Sequence, residues 1–173
     1  MPMTAALALL AQTVLETTAT QPPPPPRPCA EAPYRAFDFW VGEWTVHRAK
    51  DDQIVARSKI EEASAGCALR ETWMPFNGLH GTSLSAYDPA SRTWQQLWVG
   101  AAPGRVYFEG GPVDGKMVLT GYWGKDKDGN PSLVRMTYSR REDGSVRQHG
   151  EASSDNGLSW SDSFDFIYRQ REK

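Results

Sequence analysis

The chain has 173 residues, enough for one domain with a sizeable core. Its formal net charge of −2 and sequence pI near 5.9 give no electrostatic reason to expect nucleic acid or an anionic membrane as partner. No run of eighteen apolar residues occurs, so no transmembrane helix and no membrane insertion are expected.

The first segment, residues 1–20, reads as a possible signal segment. Ala5–Leu15 is short, apolar and rich in Ala and Leu, and small residues follow it. No Lys or Arg precedes the run, and Gln12 and Thr13 interrupt it. Residues 21–33 form a Pro-rich linker in which Pro22–Pro26 cannot pair into a sheet. A periplasmic or secreted location is the expectation, with the cytoplasm as the alternative. The two cysteines, Cys29 and Cys67, are too few for a closed zinc site. In an exported protein they suggest one disulfide tying the linker to the barrel. In a cytosolic one Cys67 is simply a small buried residue.

Residues 34–173 read as a single all-β domain. Aromatics make up 11% of the chain, with seven Trp, and Gly (15) and Pro (13) are plentiful. Large flat side chains with many turn formers favour short strands. Nine turn signals fall at Asp51-Asp52, Ser64–Gly66, Pro75–Gly81, Asp88-Pro89, Ala102–Gly104, Gly110–Gly115, Asp126–Pro131, Glu142–Gly144 and Asp155–Gly157. They cut the domain into ten short segments, with at most a turn of helix around Tyr34–Trp40. Alternation inside the segments is that of strands: Trp94, Gln96 and Trp98 share a face, as do Met117, Leu119, Gly121 and Trp123, and Phe164, Phe166 and Tyr168. A meander of about ten strands leaves two sheet edges open unless it curls and closes. A closed or nearly closed antiparallel barrel is therefore expected, with room inside for side chains and one small ligand.

The order of residues also resembles an uncharacterised, mainly bacterial family of calycin-like barrels. Phe37-Asp38-Phe39-Trp40-Val41-Gly42-Glu43-Trp44 matches its FDFWxGxW opening. Gly66-Cys67, Glu71-Thr72-Trp73, Tyr87-Asp88-Pro89, Trp94–Trp98, Val146-Arg147-Gln148 and Glu151–Trp160 follow in the family's order. One departure is His149-Gly150, where the family more often carries bulkier residues; this could widen the interior or place an imidazole there. The resemblance implies a calycin-like, lipocalin-like barrel and no established activity. By analogy with lipocalins, Trp44 and Trp40 plug one end.

Interior candidates follow from the alternation. Glu71 and Trp73 share a face, as do Ser83, Ser85 and Tyr87, Trp94, Gln96 and Trp98, and Arg135 and Thr137. Arg147, His149, Glu151 and Ser153 form a polar row, which faces either solvent or the interior. The opposite face of that strand (Val146, Gln148, Gly150, Ala152) is small and only weakly apolar, a poor core wall. Were the row inward, Arg135 and Arg147 would have to pair with Glu71 and Glu151, since an isolated interior charge costs several kcal/mol. The candidate ligand-binding residues are therefore Glu71, Trp73, Ser83, Tyr87, Trp94, Gln96, Trp98, Arg135, Arg147, His149 and Glu151.

The three histidines are scattered, so no metal site and no cofactor are expected. Some related barrels hold haem through one His, which leaves His149 as the residue to test. No phosphate loop, nucleophile elbow or dinucleotide fingerprint is present. The leading expectation is a small-molecule-binding barrel holding an apolar or amphipathic ligand with an anionic or polar head group. The alternatives are a cofactor-free isomerase or hydrolase using an interior Glu, and a structural or interaction domain of the envelope.

Overall fold

A computed structural model describes residues 26–171; the candidate signal segment and most of the proline run lie outside them. A turn of helix, α1 (Ala32–Arg35), and a 3-10 turn (Asp38–Trp40) precede the barrel. Ten strands follow: β1 (Gly42–Arg48), β2 (Ile54–Ala63), β3 (Ala68–Pro75), β4 (Gly81–Asp88), β5 (Thr93–Val99), β6 (Val106–Val113), β7 (Lys116–Lys125), β8 (Pro131–Arg140), β9 (Val146–Ser153) and β10 (Ser161–Gln170). Each pairs antiparallel with its chain neighbours, and β1 pairs with β10 from Trp44↔Gln170 to Arg48↔Phe166. The meander closes, so no edge strand remains.

The strand breaks fall where turn chemistry predicts, with one difference. Gly110 and Gly111 belong to β6, and the chain reverses at Asp114-Gly115, where both residues have positive φ (49° and 74°). Antiparallel order then sets two ends. Strands of odd number begin at the end that carries the pre-barrel turns and finish at the other, so that the connections 49–53, 76–80, 100–105, 126–130 and 154–160 ring the second end.

The first end is plugged with aromatic rings. Phe37, Trp40 and Trp44 are all buried. Phe37 stacks on Trp40 with ring centres 5.0 Å apart, and the Trp44 indole N–H donates to the Trp40 carbonyl at 2.9 Å. The Trp94 N–H donates to the Pro33 carbonyl at 3.1 Å, which holds α1 down on the barrel. For Trp44 and Trp94 the indole body fills the end while its one donor finds a backbone oxygen. The buried Trp40 N–H has no partner among the described residues.

A polar cluster and a disulfide also hold the pre-barrel segment. Arg27 and Arg35 both reach Glu62, and Arg35 also donates to the Gly66 carbonyl. Cys29 and Cys67 form a disulfide, with Cα atoms 5.0 Å apart. The bond closes a loop across a separation of 38 residues, which in the chain-entropy picture destabilises the unfolded chain by about 4 kcal/mol. The double variant C29A/C67A should lose about 2–4 kcal/mol and melt about 5–15 °C lower. Reductant added to the parent protein should produce the same shift in a calorimetric scan; an unchanged melting temperature in both cases would show that the bond contributes nothing.

Candidate functional site

Between the plug and the opposite end the interior is not filled. A cavity of about 230 Å³ remains, smaller than the roughly 300–1,000 Å³ of drug-sized sites. It has a mouth of rings and a polar floor.

Trp73, Trp98, Trp123, Phe164 and Phe166 form an aromatic collar at the mouth. Ring centres run Trp98–Trp123 6.4 Å, Trp123–Phe164 6.4 Å, Phe164–Phe166 5.3 Å and Phe166–Trp73 5.9 Å. Phe108 lies behind Trp123, edge-on at 6.1 Å. Two glycines make room for these rings. A Cβ on Gly81 would stand 2.4 Å from the Trp98 ring, and one on Gly150 would stand 2.3 Å from the Phe164 ring. A bare backbone lets a neighbouring ring lie flat against the wall.

Glu71, Gln96, Met136, Tyr138, Gln148 and Tyr168 line the deeper part. Tyr138 also touches the plug, its ring centre 4.9 Å from that of Trp40. Tyr168 donates to Gln148 Oε1 at 2.7 Å, and Gln148 Nε2 donates to the Tyr138 hydroxyl at 2.9 Å. Gln96 Nε2 donates to Ser85 at 2.9 Å. Glu71, only 5% exposed, accepts from Ser58 at 2.9 Å and from Ser83 at 3.1 Å. No Lys, Arg or His lines the cavity among the described residues.

That arrangement fixes the electrostatics. Burial pushes the Glu71 carboxyl up to about 7, and the two serine hydroxyls offset only part of the rise. The Tyr138 and Tyr168 hydroxyls are pushed well above their ordinary value by burial first and by the Glu71 charge second, so both stay neutral. Glu71 is thus the one ionisable group of the floor that titrates near neutral pH.

The sequence candidates divide into three sets. Glu71, Trp73, Gln96 and Trp98 line the cavity, and Ser83 supports Glu71. Tyr87 and Trp94 sit at the plugged end, where Tyr87 meets Tyr34 edge-on at 5.2 Å. Arg135, Arg147, His149 and Glu151 lie on the outer wall, which corrects the inward alternative. Arg135 forks onto Glu151 with both bonds at 2.9 Å while its guanidinium covers Trp160 at 4.1 Å. Arg147 forks onto Asp165 at 2.8 Å, and His149 Nε2 lies 2.9 Å from Asp162. The imidazole is therefore not in the interior, and the expected balance of two Arg against two Glu does not form there. An anionic head group would meet a lone carboxyl instead of an arginine fork.

Phe108, Trp123, Met136, Tyr138, Gln148, Tyr168 and the two β10 phenylalanines are the lining residues that the interior candidates left out. The Val134, Met136, Tyr138 alternation was a readable signal against an inward Arg135. Gln148 and Gly150 were readable only as a poor wall, because the ring that covers Gly150 comes from β10. Among the described residues no cluster of three or more metal-ligating side chains occurs, and no helix is long and apolar enough to cross a membrane. In comparisons with known proteins, no family model and no curated protein matches the chain.

The raised Glu71 value carries a sign. The folded protein holds this proton up to about pH 7, whereas the unfolded chain releases it near 4.5. Folding therefore takes up a proton between those values, and stability falls as pH rises through that window, by about 3 kcal/mol in all. Glu71→Gln should flatten this slope and be at least as stable as the parent at pH 8, as read from urea unfolding at a series of pH values. A parent and variant with parallel pH profiles would contradict the placement of Glu71.

Proposed function

We propose that the protein is an exported, calycin-like small-molecule-binding barrel whose cavity takes one compact, largely apolar ligand with a single polar end. The observation that carries this reading is the cavity itself. Rings wall it, a hydrogen-bonding floor ends it, and the closed opposite end permits entry only past the collar. Sites of this composition gain affinity from apolar burial and orientation from a few polar groups. The volume excludes long-chain lipids and favours ligands of a few rings or short branches. The Cys29–Cys67 disulfide supports export, since such bonds persist in oxidising compartments and are rare in the cytosol.

Native mass spectrometry of protein purified from its own source should show a bound small molecule. Independently, 2-phenylethanol titrated into the unliganded protein should shift the indole NMR signals of Trp73, Trp98 and Trp123 with a dissociation constant below about 1 mM. Gly150→Val, which drives Phe164 out of its seat and into the mouth, should weaken that binding at least about tenfold. Absence of both the native ligand and the titration would overturn the reading.

A second reading has one observation in its favour. A buried carboxyl titrating near 7, with no cation beside it, is poised to accept and return a proton. In that case Glu71 acts as general acid/base in a cofactor-free reaction. Protein from the native source would then carry a mixture of substrate and product, and the Glu71→Gln variant would carry substrate alone.

A further inference from the structure

Resting on the small-molecule reading above, we infer that the cavity is a receptor for a protonated amine, with Glu71 as its counter-ion and the aromatic collar as its cation-attracting wall. The cavity supplies no positive charge of its own among the described residues. Glu71 projects from β3 and is faced by Ser58 of β2, Ser83 of β4, Gln96 of β5, Tyr138 of β8, Gln148 of β9 and Tyr168 of β10. None of these can carry positive charge, and the two tyrosines remain neutral at any ordinary pH. Arg135 of β8 and Arg147 of β9 spend their charge outside, on Glu151 and Asp165.

An uncompensated buried carboxylate is costly, and the cost disappears when a cation arrives with the ligand. Gln96 spends one amide N–H on Ser85, and its amide also bonds the Tyr138 hydroxyl, so it brings no charge to the floor. The Glu71 oxygens each receive one serine hydroxyl and keep a further lone pair. At the floor Glu71 therefore offers unspent acceptor sites, which call for a donor-rich head. Around it stand indole and phenyl rings, whose faces attract an ammonium group most strongly when water is excluded. A carboxylate-bearing ligand would be repelled by Glu71, and a neutral one would leave the charge question unanswered above pH 7.

Three isosteres separate the possibilities: phenethylamine, 2-phenylethanol and propylbenzene, titrated into the unliganded full-length protein by calorimetry. At pH 8 the amine should bind at least about tenfold more tightly than the alcohol. Glu71→Gln should bring the two within about threefold of each other. In the parent protein, affinity for the amine should rise about tenfold per pH unit between about pH 5 and about pH 7, as Glu71 gives up its proton, while affinity for the alcohol stays flat. This pH profile needs only the parent protein, so a misfolded variant does not rescue or spoil the test. Equal binding of amine and alcohol at pH 8, a flat amine profile, or an amine preference that survives Glu71→Gln would overturn the amine assignment while leaving the binding barrel in place. Failure of all three compounds to bind would overturn the small-molecule reading and this inference with it.

Discussion

The pairing of β1 with β10 governs everything else in this protein. A strand in a closed barrel shows one set of alternate residues to the interior, and closure removes any freedom to slide or flip one strand without breaking the ladder on both sides. Once Trp44 and Val46 point inward on β1, the register carries the assignment around the barrel to Tyr168, Phe166 and Phe164 on β10. The same register sends Arg135, Arg147, His149 and Glu151 outward together. Their cross-strand forks are the ordinary way for a solvated antiparallel wall to use opposite charges, each contributing little to stability.

Closure also creates the filling problem that the cavity answers. Ten strands enclose more volume than their own inward side chains occupy, and the two ends solve this differently. At one end Phe37 and Trp40 enter from outside the strand sequence and pack solid against Trp44 of β1 and Tyr138 of β8. At the other, the rings stand against glycine-lined walls and leave the centre open. The polar floor lies between, resting on the plug through Tyr138, so its groups are held on strands rather than on loops. Such placement keeps Glu71, Gln96 and Gln148 pre-oriented, which lowers the ordering cost of binding.

Glu71 concentrates the chemistry of that floor. Two serine hydroxyls are enough to keep a buried carboxyl hydrogen-bonded, yet they carry no charge and cannot hold it ionised at acid pH. A fold that wanted only stability would place an apolar residue there, since folding then takes up no proton and the interior bears no unpaired charge. Sites that sacrifice stability in this way are characteristic of function.

By itself the sequence determined the architecture: ten strands, their turns and closure were legible from local turn chemistry and a period of two, and the resemblance of the FDFWxGxW opening pointed to the plug. It also pointed to Glu71, Trp73, Gln96 and Trp98, whose strands alternate cleanly between ring or carboxyl and small or exposed residue. Only the tertiary structure decided which face of β9 looks inward. Gly150 reads as a weak wall until Phe164 of β10 lies across it, and that contact depends on the bulge between Asp162 and Phe164 in the β9–β10 pairing. Nor could spacing say that the arginines pair with Asp165 and Glu151 outside, leaving Glu71 alone within. Those pairs lie within neighbouring strands, but which face of the strands turns outward is set by closure, and closure is a property of the whole chain.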